Sequence, residues 1–153
     1  MAKVELAPRR CRHETQDSGT QEDLPCSLAK LRDRGGTVLC TWFEWPRSCA
    51  YWHDRSVKAF IRRHNLTEVH FDGCMYGLAS SMPKTSGKLI RKPWTIATSM
   101  RELNLLCGRC EHKPSEHAPC AGTDTKVTEG YTDELVTNLH TAVGQWCDAR
   151  RAL

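Results

Sequence analysis

Cys107-Gly-Arg-Cys110 is followed within a few residues by His117-Ala-Pro-Cys120. In each pair a two-residue gap lets both side chains turn toward one point. Three thiolates and an imidazole are soft and borderline donors, and zinc takes such a set in tetrahedral geometry. His112 lies between the pairs and is an alternative to His117. A set of four protein ligands leaves no open position, so zinc bound there is structural rather than catalytic. The competing reading is a polar loop dense in Cys and His that binds nothing.

A second group of residues lies upstream. Glu44-Trp-Pro-Arg47 follows an apolar run, and Asp72-Gly-Cys-Met-Tyr76-Gly77 follows another. Lys92-Pro-Trp94 opens a third. Ligands of open α/β sheets bind beyond strand ends, where a carboxylate such as Glu44 can hold the amino edge of a base or a ribose hydroxyl. Arg47 and Lys92 can meet phosphates, and Tyr76 and Trp94 can stack on bases. Each has a plainer reading: a solvated carboxylate, a charged face, aromatic core.

The elements that must position these residues follow from periodicity. Met1–Asp23 is polar, without apolar periodicity, and reads as a disordered leader. Leu24, Leu28 and Leu31 share helical spacing, with a helix expected to Arg34 and a stop at Gly35-Gly36. Thr37–Phe43 is a near-continuous apolar run. It suits a strand buried on both faces, the usual state in a parallel sheet. Glu44–His53 reads as an aromatic turn. Asp54 caps a helix from Arg55 to His64, with Val57, Phe60 and Ile61 on one face and Asn65 as its stop. Thr67–Asp72 alternates, with Val69 and Phe71 on one side. Gly73–Lys88 is a loop and Trp94–Thr98 a strand. Ser99 and Glu102 form a capping box for a helix to Leu106. Cys107–Gly130 is irregular. Thr132 caps a last helix with Leu135, Val136, Leu139 and Val143 along one stripe.

Strands alternating with helices predict an α/β fold, a partial Rossmann-like sheet carrying a Cys/His-rich insert. The expected division is a leader over 1–23, a domain over 24–147 with the insert at 107–120, and a tail over 148–153. The chain of 153 residues is 39% hydrophobic and 26% charged, enough for one packed domain. No run of ~18 apolar residues exists for a membrane span. Met1–Asp23 lacks the apolar stretch of a secretory signal, so the chain is expected inside the cell, in cytoplasm or nucleus. In a reducing compartment nine cysteines act as ligands, nucleophiles or small hydrophobes rather than disulfides. Cys40 and Cys74 read as core, and Cys11, Cys26, Cys49 and Cys147 carry no assignment. The net charge of +4 does not by itself make a nucleic-acid binder.

The order of motifs is a signal of its own. It runs Glu44-Trp-Pro-Arg, Asp72-x-Cys-x-Tyr-Gly77, Lys92-Pro-Trp-x-Ile-x-Thr98, the Cys/His cluster, then a helix entered by Tyr131-Thr-x-x-Leu135. This resembles the C-terminal half of phage-type DNA cytosine-5 methyltransferases. It is closer to the methyltransferase-like domains of retroelement-associated polyproteins in dinoflagellates and algae. The resemblance spans roughly Leu28 to Val143. It implies a Rossmann-like sheet, S-adenosylmethionine as cofactor of the complete enzyme, and a flipped base held by its Watson–Crick edge. Glu44 matches the family's base-edge carboxylate, with Trp45 where the family has Asn. Pro25-Cys26 has the family's nucleophile dipeptide without its preceding strand. The Gly-rich cofactor turn has no counterpart. The resemblance therefore implies a truncated half-domain, inactive alone, that contacts nucleic acid or pairs with a missing N-terminal half. The alternative is a non-enzymatic zinc-binding interaction or nucleic-acid-binding module.

Overall fold

The computed structural model describes residues 3–5, 29–32 and 38–151. Among the described residues, five strands and three α-helices make a mixed α/β fold: β1 (Lys3–Glu5), β2 (Ala29–Arg32), β3 (Val38–Pro46), α1 (Arg55–Arg63), β4 (Thr67–Asp72), β5 (Pro93–Thr98), α2 (Thr123–Val127) and α3 (Asp133–Arg151). Short 3-10 turns lie at Ala50–His53, Gly73–Tyr76, Arg101–Leu106 and Pro114–Glu116. The strands form one sheet in the order β1-β2-β3-β5-β4. All four pairings are antiparallel, which corrects the parallel arrangement expected from the apolar run at Thr37–Phe43.

That run does lie between two covered faces. Cys40 and Trp42 join the cluster of Val69, Phe71, Trp94, Ile96, Leu103, Leu135 and Trp146. Phe43 and Trp45 join Val57, Phe60, Leu66 and Ala97 on the other side. Helix α3 and the 3-10 turn at Arg101–Leu106 thus cover one face of the sheet, and α1 the other. Two-sided burial makes a strand continuously apolar whichever way its neighbours run.

The register explains why a β-α-β order reads as parallel. β3 and β4 are each antiparallel to β5, with Trp45 opposite Thr95 and His70 opposite Thr95. They are therefore parallel to each other, joined through α1, with β5 inserted between them. This is a split β-α-β unit.

Local signals that depend on neighbouring residues hold. The Asp54 carboxylate accepts from the amides of Ser56 at 2.8 Å and Val57 at 3.2 Å, capping α1. Asn65 ends that helix at a positive φ of 48°, a conformation Asn tolerates better than most residues. Thr132 Oγ1 accepts from the Leu135 amide at 3.2 Å, capping α3. The buried stripe of α3 is Leu135, Ala142 and Trp146, with Leu139 and Val143 partly covered.

Four expectations are corrected. Ala29–Arg32 is a strand paired with β3, not part of a helix over 24–34. Lys3–Glu5 pairs with that strand, within the segment read as a leader. Ser99 is not a cap: its Oγ accepts from the Thr41 amide at 3.0 Å, extending the sheet contact, and Arg101–Leu106 is a 3-10 turn without a side-chain cap. Helix α3 continues through Arg151, past the expected boundary at 148. The rest of the leader, Pro25-Cys26 and Gly35-Gly36 lie outside the described residues. Among the described residues, no helix is long and apolar enough to cross a membrane.

Candidate metal centre

Strand β4 ends at Asp72, and the chain turns at once through Gly73–Tyr76. Gly77 closes this turn in the left-handed region at φ 72°. The turn carries Cys74, which is buried. After β5 and the 3-10 turn at 101–106, the chain returns to the same strand end. The Gly108 amide donates to the His70 carbonyl at 3.1 Å, making a short parallel bridge with Phe71. A Cβ at Gly108 would lie 3.1 Å from Met75 Cε, so glycine lets the loop press close to the Cys74 turn. The Cys110 amide then donates to Asp72 Oδ2 at 2.9 Å.

From Cys110 the chain makes a compact turn. The Lys113 amide donates to Glu116 Oε2 at 2.7 Å, and the Glu116 amide to the Lys113 carbonyl at 3.0 Å. Pro114 opens this turn with its φ preset. Leu89 then clasps the far side, accepting from Ala118 at 2.8 Å and donating to Glu116 at 3.1 Å. His112 and His117 sit at the two ends of the turn, with ring centroids 5.8 Å apart.

One donor atom from each of Cys74, Cys110, His112 and His117 lies within 4.8 Å of the others. Cys110 Sγ is 3.2 Å from His112 Nδ1 and 3.3 Å from His117 Nε2. A tetrahedron with Zn–S of ~2.3 Å and Zn–N of ~2.0 Å has S···N edges of about 3.5 Å, so these edges suit a shared ion. The far nitrogen of His117 is also engaged: Nδ1 lies 3.1 Å from the Lys113 carbonyl. A carbonyl only accepts, so the ring proton sits on Nδ1 and the Nε2 lone pair faces the cluster. Outer hydrogen bonds of this kind orient metal-binding histidines.

Burial, and then the neighbouring Cys110 thiol, push the Cys74 thiol up to about 12. Asp72, fully buried, adds to that push. A coordinated thiol loses its proton outright, so an ion held here would have to displace that proton. These residues fit a divalent metal.

The converging group differs from the sequence reading. Cys110 and His117 are kept, and His112 joins them. Cys107 and Cys120 do not belong to the group. The backbone at 107–108 is pinned along β4, leaving Cys107 exposed. Cys120 Sγ lies instead 3.3 Å from Thr128 Oγ1 at the end of α2. Cys74, read as core, takes part because β4 delivers it to the loop. Its signal was weak: a lone cysteine after a strand, with no spaced partner nearby.

The upstream residues have other partners. Glu44 Oε2 accepts from the Tyr131 hydroxyl at 2.7 Å. Tyr131 stands edge-on to Trp94 at 6.0 Å, and Lys92 Nζ lies 5.3 Å from the Trp94 ring centre. Lys92 Nζ also donates to the Thr128 carbonyl at 2.7 Å. Glu44, Lys92 and Trp94 are thus linked through Tyr131 and the Trp94 ring, with the polar ends of Glu44 and Lys92 held by the Tyr131 hydroxyl and the Thr128 carbonyl. Trp94 and Tyr76 are buried, which corrects their reading as surface stacking residues. The Tyr76 hydroxyl donates to the Leu106 carbonyl at 2.8 Å, and burial, then Glu134, raise its pKa. Arg47 turns toward Asp72, its Nη2 lying 3.9 Å from Oδ1.

No protein-family model, curated protein or solved structure matches the chain.

Proposed function

We propose that the chain is a non-enzymatic interaction module whose Cys/His loop is fastened to the end of the sheet by one structural zinc ion. The observation that carries this reading is the convergence of Cys74 with Cys110, His112 and His117. Two thiolates and two neutral imidazoles are a zinc donor set, and they fill all four positions. When bound, the ion supplies a cross-link between the turn after β4 and the loop after β5. The residues of the chain do the positioning: Asp72 holds the Cys110 backbone, and the Lys113 carbonyl sets the His117 tautomer.

Methyl transfer receives no such support. A Rossmann-like sheet is mostly parallel, whereas these strands pair antiparallel. Of the residues matched to a base-binding site, Glu44 holds the Tyr131 hydroxyl, Lys92 holds the Thr128 carbonyl and Trp94 is buried.

Metal content and thermal unfolding test the proposal together. Protein purified with zinc is expected to hold one ion per chain and to melt at a lower temperature after chelation, since a ligand bound only by the folded state stabilises it. If no zinc co-purifies and added zinc leaves the melting temperature unchanged, the reading is wrong.

A further inference from the structure

The charge of the chain is unevenly placed. Residues 47–65 hold Arg47, Arg55, Lys58, Arg62 and Arg63 against one acid, Asp54, so this stretch alone accounts for the whole formal excess of +4. Asp54 is itself committed to capping α1. Arg55, Lys58 and Arg62 occupy one stripe of α1 at i, i+3 and i+7, where side chains share a face. All three are exposed. Among the described residues none of them forms an ion pair or a side-chain hydrogen bond. Along the helix axis they are spaced by about 4.5 and 6 Å, a repeat that backbone phosphates of a strand can follow.

An exposed aromatic ring lies in the turn that leads into this helix. Tyr51 lies in the 3-10 turn that leads through Asp54 into α1 and is 57% exposed. Behind it, Trp45 lies 5.4 Å away between ring centres and holds it in place. A row of unpaired cations beside a supported, exposed aromatic is the pairing by which single-stranded nucleic acids are bound without sequence preference: charge follows the backbone and the ring takes a base.

We propose that α1 and Tyr51 form a docking surface for single-stranded nucleic acid, with Arg55, Lys58 and Arg62 on successive phosphates and Tyr51 stacked on a base. Two other partners fit less well. A basic amphipathic helix binds a membrane by inserting its apolar face, but Val57 and Phe60 of α1 are buried against the sheet. An acidic protein would pair with the cations and leave Tyr51 unused. No residue of α1 belongs to the Cys/His group, so this surface does not depend on the metal reading.

Fluorescence anisotropy with a fluorescein-labelled oligo-uridine of about 20 nucleotides tests the proposal on the full chain in 50 mM salt. Binding is expected, with log K falling against log salt at a slope of about −2, the value for three phosphate contacts on a single strand. Tyr51→Ala should weaken binding about tenfold, and a blunt-ended duplex should bind more weakly than the single strand. Arg55→Glu/Lys58→Glu/Arg62→Glu should abolish binding. Circular dichroism checks its fold, and the milder Arg→Gln and Lys→Gln set replaces it if the helix is lost. Absent binding to the wild-type chain overturns the proposal, as does undiminished binding by the folded triple variant. Equal competition by polyglutamate, with no effect of Tyr51→Ala, would overturn it in favour of an acidic protein partner. Tighter binding to anionic phosphatidylserine vesicles than to the oligonucleotide would overturn it in favour of a membrane.

Discussion

The backbone amide of Cys110 donates to the buried carboxylate of Asp72 across 2.9 Å, although 38 positions separate the two in the chain. The same carboxylate oxygen lies 3.3 Å from Arg91 Nε, and the other lies 3.9 Å from Arg47 Nη2. Asp72 thus fixes the backbone of Cys110, one of the converging thiols, to the end of β4, with two arginines close by.

Asp72→Asn keeps the shape but exchanges a charged acceptor for a neutral amide. Zinc affinity should fall 10- to 100-fold, the usual consequence of losing an outer partner of a ligand. Stability should fall by about 2 kcal/mol as the charged hydrogen bonds weaken. Competition against a chromophoric chelator reads the first quantity, and urea unfolding of the metal-free protein reads the second.

Cobalt substitution separates the four ligands from the other cysteines. The wild-type chain should give the intense visible absorption of tetrahedral cobalt bound to thiolates. Cys74→Ser and His112→Ala should each reduce or abolish it. Cys107→Ser and Cys120→Ser should leave it unchanged. A spectrum lost in Cys107→Ser and kept in Cys74→Ser would put the ligand set back where residue spacing alone suggested it.

Acid should loosen the segment around α2. The Asp124 carboxyl is held below the ordinary range, first by the Ser80 hydroxyl and then by the Ser81 amide and hydroxyl, against the opposing effect of burial. A depressed carboxyl contributes stability that is complete above its unfolded pKa of about 3.9 and lost as pH falls through the lower folded value. Protection of the Ser81 amide, relative to its intrinsic exchange at each pH, should therefore fall below pH 4 in the wild-type chain. Asp124→Asn should show that lower protection already at neutral pH.

Asp54→Ala removes the cap from α1. The expected loss is about 1 kcal/mol, measured by urea unfolding, with the two core clusters otherwise intact. Asp54→Ser, which can still accept from the first-turn amides, should recover most of it.

These sites differ in how far they could be read from the residues alone. Asp54 was legible because a cap is settled within three positions. The two-sided burial within the apolar run, seen at Cys40 to Phe43, was legible because it is written in composition, although β3 runs on through Glu44-Trp-Pro46, which read as a turn. Strand direction was not, because both sheet types bury such a run once helices cover both faces. Ala29–Arg32 falls within a segment whose Leu24, Leu28 and Leu31 share helical spacing, yet it pairs with β3; a ladder with a distant strand outweighed a weak local preference. In the metal centre, Cys110 and His117 were visible through their spacing. Cys74 was not, because only the pairing of β4 with β5 and the return of the loop bring it near them.

The placement of β5 between β3 and β4 also orders events during synthesis. When residues 38–72 have left the ribosome, two parallel strands and their connecting helix exist, but the strand that must lie between them does not. Neighbouring strands stand ~4.8 Å apart, so the nascent unit faces a gap of roughly 10 Å that no local hairpin fills. Its two inner edges stay unpaired until Pro93–Thr98 emerges. Strands β1 to β3 can pair early, but β4 can join the sheet only through β5, and the Cys/His group can form only after that.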